Sequence, residues 1–140
     1  MSRIFWDTNL FIYLFEEYGT LSERARAIRA RMLERGDQLL TSTLTLGELL
    51  VKPTENGALD LCKRYEDALV NGAVLLPFDV KAAVHYARLR CDRSIRAPDA
   101  IQLACAGAAG VDLFITNDER LQSKRVEGIQ FMTSLRGAPL

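Results

Sequence analysis

Residues 98–118 read PDAIQLACAGAAGVDLFITND, and this stretch decides the class of fold. Pro98 suits the first turn of a helix, where a missing N–H costs nothing. Asp99 to Ala109 then predicts a helix that is apolar and small almost all round. Such a helix is buried, and its small side chains allow close packing. Gly107 and Gly110 serve that packing and the C-terminal cap. Leu113-Phe114-Ile115-Thr116 follows as a strand. A core helix running into an apolar strand is half of a βαβ crossover, so the flanking sequence should repeat the pattern.

It does. Before it, Val80, Ala83, Val84, Ala87 and Cys91 have helical spacing, with Asp79 as a plain cap. His85 shares a face there with Lys81, Arg88 and Asp92 and is expected to be solvated. Ala73–Pro77 is a strand behind the Asn71-Gly72 turn, and Ala58 to about Asn71 a helix. Thr45-Leu46-Gly47-Glu48 matches a capping box opening a short helix that Pro53 ends. Gln38–Thr41 is a strand. Thr20–Glu23, a second capping-box pattern, opens a charged helix to about Arg35, which Gly36-Asp37 stops. Ile4-Phe5-Trp6 is the first strand and ends at Asp7. After Asp118 a short helix to Lys124 leads to a weaker strand at Ile129–Met132. Strands separated by helices imply a mostly parallel, about five-stranded sheet covered on both faces. The expectation is a single three-layer α/β/α domain over residues 1–140, with no repeat or linker.

Composition excludes several classes. The hydrophobic share is 49% and the charged share 26%, which is globular rather than disordered or collagen-like. No apolar run is long enough for a membrane span, and the N-terminal run, broken by Asp7 and Asn9, lacks signal-peptide character. Cys62, Cys91 and Cys105 form no CxxC pair. They read as free thiols in a reducing cytoplasm. Basic and acidic residues number 18 each, so a salt-driven DNA binder is not expected. One histidine excludes a ribonuclease that works with two imidazoles, and there is no P-loop, GxGxxG or GxSxG. The arginines at 24, 26, 29, 31 and 35 read mostly as a solvated helix face. Phe5, Phe11, Tyr13, Phe15 and Tyr18 read as core or dimer surface.

Ligands of an open parallel sheet bind beyond the carboxyl ends of its strands. Asp7 follows the first strand, Glu48 lies in the first turn after the second, and Asp118 follows the fourth. Asp99 opens the helix leading into the fourth strand. Singly, each acid is ordinary helix-start chemistry; together, three of the four fall by topology at one edge. Asp112 precedes the fourth strand and should lie at the opposite edge. Converging carboxylates repel by roughly 4 kcal/mol per pair at ~4 Å and an effective dielectric near 20. They need protons, arginines or a hard cation, and oxygen ligands in that number suit Mg²⁺ or Mn²⁺. Without the four, the chain carries 18 minus 14, or +4, which suits a phosphodiester substrate.

Asp7-Thr8-Asn9-Leu10-Phe11-Ile12-Tyr13 after a short apolar strand resembles the opening motif of PIN-domain nucleases. Thr45–Glu48, Pro98-Asp99-Ala100-Ile101-Gln102-Leu103-Ala104 and Phe114-Ile115-Thr116-Asn117-Asp118 resemble its later motifs, in order. The likeness spans nearly the whole chain, at a length typical of VapC-type toxins. It implies a PIN domain over residues 1–140 and a Mg²⁺- or Mn²⁺-dependent endoribonuclease in the cytoplasm. It also implies a cognate antitoxin as partner, an RNA substrate, a homodimer and no membrane. Carried over residue by residue, it makes Asp7, Glu48, Asp99 and Asp118 the catalytic, metal-holding acids, with Asn9 and Thr116 in support. The family's last motif often has an aromatic residue soon after the final Asp, where this chain has Glu119-Arg120-Leu121. In this chemistry the ion activates the attacking water and stabilises the leaving 3′ oxygen; Asp7 is the first choice of direct ligand and Asp99 the next. Leu10, Tyr13 and Leu14 are expected to flank the cleft. Three alternatives remain beside this one: a housekeeping RNA-processing PIN nuclease, a silent PIN-like scaffold binding RNA or protein, and a phosphatase of the haloacid dehalogenase type. The last would want a second Asp where this chain has Asn9.

Overall fold

The computed structural model describes residues 1–140. Five strands carry the sheet: β1 (Arg3–Trp6), β2 (Gln38–Ser42), β3 (Val74–Leu76), β4 (Val111–Ile115) and β5 (Ile129–Thr133). All neighbours are parallel, in the order β3-β2-β1-β4-β5. The helices are α1 (Thr8–Phe15), α2 (Thr20–Arg35), α3 (Thr43–Glu55), α4 (Leu59–Gly72), α5 (Val80–Leu89), α6 (Ala97–Ala109) and α7 (Glu119–Gln122).

Side chains alternate across each strand, so the sheet feeds two cores. Ile4, Trp6, Leu39, Leu113 and Ile115 meet α1, α2, α3 and α4 on one face. Phe5, Leu40 and Phe114 meet α6 and α7 on the other, with Phe5 and Phe114 stacked at 4.8 Å. α5 packs on α6 through Ala82, Ala104 and Cys105. This is the expected three-layer α/β/α arrangement, and α6 lies in its core, with seven residues buried. Its closeness has a visible cause at Gly107. A Cβ there would stand 2.5 Å from the Glu127 carbonyl oxygen. Gly110, at φ 75°, caps the helix.

Several local expectations are corrected. α1 is a helix the sequence reading did not assign: Asp7 caps it. Neither capping box forms. Gly19, at φ 61°, precedes α2, while Ser22 bonds Tyr18 N–H and the Glu16 carbonyl. α3 begins at Thr43, so Thr45 lies inside the helix and is buried. Pro53 does not end α3; it sits in the last turn, buried, while the carbonyls of Lys52, Pro53 and Thr54 still accept bonds from Asn56, Ala58 and Gly57. His85 is half-buried against Gly107 rather than solvated. Leu10 is wholly buried, so it does not flank a cleft. The α2 arginines do lie mostly on an exposed face, as expected, and from there also hold groups of this chain: Arg24 binds the Leu135 and Ala138 oxygens, and Arg29 the Gly72 oxygen. Arg26 and Arg35 pair with Glu17 and Asp37. The three cysteines are free, and burial pushes the Cys105 thiol up to about 11.

Candidate active site

The chain passes from β1 to β2 and β3 on one side and returns to β4 on the other. The carboxyl ends of β1 and β4 therefore bound a topological switch point, where a crevice opens. Asp7 is the first residue past β1, and its N–H donates to the Ile115 carbonyl at 3.1 Å. Its Oδ1 accepts from Thr8 N–H at 2.8 Å, capping α1. Its Oδ2 accepts from Thr116 Oγ1, also at 2.8 Å. That hydroxyl accepts in turn from Asp118 N–H at 3.1 Å, so one threonine joins the ends of two strands.

The other acids arrive on helices. Glu48, on α3, is exposed and accepts from Thr8 Oγ1 at 2.6 Å rather than capping its own helix. Asp99 is half-buried in the first turn of α6. Asp118 caps α7 through Arg120 N–H at 3.0 Å. Asp7, Glu48, Asp99 and Asp118 line one cleft of about 270 Å³, with Asn9 at its exposed rim and Ile12 as its one hydrophobic wall. Thr116 lies just beneath, fully buried. Asp112 sits at the opposite edge, within β4, where it accepts from Arg3 N–H at 2.7 Å. A larger hollow beside β5, about 540 Å³, contains only one carboxylate, Glu127.

The cleft has two electrostatic halves. Asp7 is pushed up to about 6, first by loss of hydration and then by the Asp99 and Glu48 charges, against the bonds from Thr116 and Thr8. Asp99 is also raised, by burial and then by Asp118. Asp118 is lowered, because Arg120 grips it with Nη2 at 2.6 Å and Nε at 3.0 Å. The same Nη2 stands 3.7 Å from Asp99. The ion pairs of the cleft thus serve Asp118 and Asp99, and Asp7 has no counter-charge. A desolvated carboxylate amid other acids, with oxygen donors only, fits a hard divalent cation. The acids line the space without clenching: no three of them already form a metal-holding group.

Thr8, Gln102 and Arg120 are the functional candidates that the sequence reading missed. Gln102 had a signal, as the one amide on an otherwise apolar helix. Arg120 had only its spacing from Asp118.

Residues 4–127 match the family model described as PIN domain. No curated protein matches. Among solved structures, the chain is similar to VapBC2 from Rickettsia felis bound to a DNA fragment from their promoter, with TM-score 0.75 and 15% identity over 94% of this chain and 98% of that one. DNA-bound VapBC from Salmonella typhimurium gives TM-score 0.73 and 21% identity over 96% and 99%. VapBC-5 from Mycobacterium tuberculosis, a member of the VapBC family of toxin-antitoxin systems, gives 0.59 and 20% over 94% and 98%. At such identities the likeness is one of fold.

Proposed function

This chain belongs to the PIN-domain family, and from that premise we propose that it is a metal-dependent endoribonuclease, the toxin of a toxin–antitoxin pair. The observation that carries this is Asp7: a desolvated carboxylate at the switch point, raised to about 6, among acids and without a cation of its own. Asp7, Asp99, Glu48 and Asp118 are the residues that would hold Mg²⁺ or Mn²⁺. Bound there, the ion supplies an activated water and charge neutralisation for phosphodiester hydrolysis. The chain's own residues do the rest. Thr8 N–H and Thr116 Oγ1 fix both oxygens of Asp7, so its orientation is set before anything binds. Asn9, at the rim of the cleft, would support the metal-holding acids. Arg120 holds Asp118 and offers a guanidinium, half exposed, at the mouth of the cleft.

An aspartyl-phosphate mechanism is disfavoured, because both Asp7 oxygens already accept bonds and position 9 is asparagine. The antitoxin reading draws on the VapBC complexes among the similar structures. A cytoplasmic setting goes with three free thiols.

The test is cleavage of RNA by the purified chain with Mg²⁺ or Mn²⁺ and with chelator. Cleavage that needs metal and falls steeply in Asp7→Asn supports the proposal. Metal-independent cleavage, or a wild-type rate in Asp7→Asn, overturns it. Asp112→Asn, at the far edge, should keep its activity per folded molecule. A small neighbouring reading frame whose product copurifies with the chain and silences it supports the toxin reading; a free, active chain without one favours housekeeping RNA processing.

A further inference from the structure

Beneath the cleft lies a hydrogen-bonded cluster that the metal-site reading does not use. Gln102, on α6, is 3% exposed. Its Nε2 donates to Thr8 Oγ1 at 3.0 Å and to Thr45 Oγ1 at 2.8 Å. Its Oε1 accepts from Ser42 Oγ. Thr41 Oγ1 lies 2.8 Å from the Trp6 carbonyl and 2.7 Å from Thr45 Oγ1. All four hydroxyls are buried.

Each hydroxyl has one proton, so the directions can be assigned. The Trp6 carbonyl can only accept, so Thr41 gives its proton there. Thr45 must then donate to Thr41, and it accepts from Gln102. Thr8 accepts the other amide proton, which leaves its own for Glu48 Oε1 at 2.6 Å. Every proton in the cluster is then used once. Its two ends are acceptors: the Trp6 main-chain carbonyl at the base and Glu48 Oε1 in the cleft.

We infer that Gln102 is a positioning residue: through Thr8 it sets the direction in which Glu48 presents its carboxylate to the cleft. Thr8 Oγ1 also lies 3.3 Å from Thr45 Oγ1, but the bond to the Glu48 carboxylate is the shorter, at 2.6 Å, and takes the one Thr8 proton. Glu48 has no other hydrogen bond, so without this one its exposed side chain turns freely. The same amide ties α6, which carries Asp99, to α1 and to the start of α3. One buried group thereby sets Glu48 and Asp99 relative to Asp7. The inference rests on the metal-site proposal for its consequence, and on the proton count for its geometry.

The experiment is Mn²⁺ binding by calorimetry on the full chain, with NMR of the metal-free protein alongside. Thr8→Val keeps the shape and removes the donor, and should weaken Mn²⁺ binding about ten-fold, as loss of groups behind metal ligands does. Thr8→Ser should restore it to within about two- to three-fold. Gln102→Leu should weaken Mn²⁺ as Thr8→Val does, and the Thr8 hydroxyl proton resonance expected in the wild type should broaden or disappear from the spectrum. A Gln102→Leu chain that melts lower but binds Mn²⁺ like wild type makes the cluster merely structural and overturns the inference. So does a Thr8→Ser chain no better than Thr8→Val. The two readings fail differently. If the wild type takes no Mn²⁺ while the hydroxyl resonance depends on Gln102 as stated, the metal proposal falls and the orientation of Glu48 by Gln102 stands. If Mn²⁺ binds and needs Asp7 but is indifferent to Gln102 and Thr8, the inference falls alone.

Discussion

Asp7 concentrates the chemistry of this protein because opposing forces act on one carboxylate. Two hydrogen bonds favour its charged form, and burial with two acidic neighbours favours the neutral one; the second group wins, and Asp7 stands at about 6 against an ordinary 3.8. A carboxyl raised in the folded state stabilises the fold fully below its unfolded value and loses that contribution as pH rises through about 6. In metal-free protein at pH 7–8, Asp7 is therefore a burden. Asp7→Asn should raise metal-free stability there by about 1–2 kcal/mol, a few degrees in melting temperature. The gain should shrink towards zero below about pH 4, where the wild-type carboxyl is already neutral. Added Mn²⁺ should reverse the order at neutral pH, since only the wild type gains by binding. Melting curves over pH 4–8, with and without Mn²⁺, check all three. A mutant less stable at pH 7.5 without metal would show that the cap on α1 outweighs the buried charge.

At the scale of elements, α7 and α6 act on the cleft in opposite ways. α7 is one turn long, and its cap Asp118 is bound by Arg120 two residues on. Arg120 is an internal cation that competes with a metal for Asp118 and Asp99. Arg120→Gln should tighten Mn²⁺ binding several-fold, while slowing RNA cleavage if the guanidinium also meets phosphate. Calorimetry and saturation kinetics separate the two effects; unchanged Mn²⁺ affinity would remove Arg120 from the electrostatics of the site. α6 contributes rigidity instead. Gly107 meets the Glu127 carbonyl closely, and Gly128, at φ 86°, approaches Gly107 in return. Gly107→Ala should cost roughly 2 kcal/mol by overpacking, seen in urea unfolding. Activity per folded molecule should hardly change, because the clash lies at the end of α6 away from Asp99.

At the scale of the molecule, charge is divided rather than missing. The chain is neutral overall, yet the cleft keeps Asp7 and Glu48 without a cation while Arg120 serves the other two acids. A partner that silences the protein can supply the missing charge as an arginine or lysine. We expect inhibition by an antitoxin peptide to depend on one such basic residue and to weaken as Mn²⁺ is raised. Peptides with each basic residue replaced in turn, titrated at several Mn²⁺ concentrations, measure this. Inhibition indifferent to both places the antitoxin contact elsewhere. With Leu10 in the core, the cleft wall available for such contact is Ile12, with Tyr13 beside it, hydrogen-bonded to Asn117 at 3.3 Å.

Apolar periodicity alone determined the alternation of strands and helices, the parallel sheet, the burial of α6 and the chain order that leaves Asp7 and Asp118 past two strand ends. These are local signals: alternation or helical spacing, bounded by Gly36, Asn71-Gly72 and Gly110, which are legible without contacts. Where the spacing predicts capping boxes, tertiary structure overrides it. Thr45 and Glu48 have the spacing of a capping box, but Gln102 and Thr8, 57 and 40 residues away, hold them instead. Pro53 reads as a stop, but its burial in the last turn of α3 keeps it helical. Residue types could name the four acids; they could not place Asp99, which reaches the cleft only because α6 crosses the sheet beneath it. Nor could they tell that Arg120 faces the acids, or that a buried amide aims Glu48. Those facts depend on distances between segments far apart in the chain, and only the packing of three layers sets such distances.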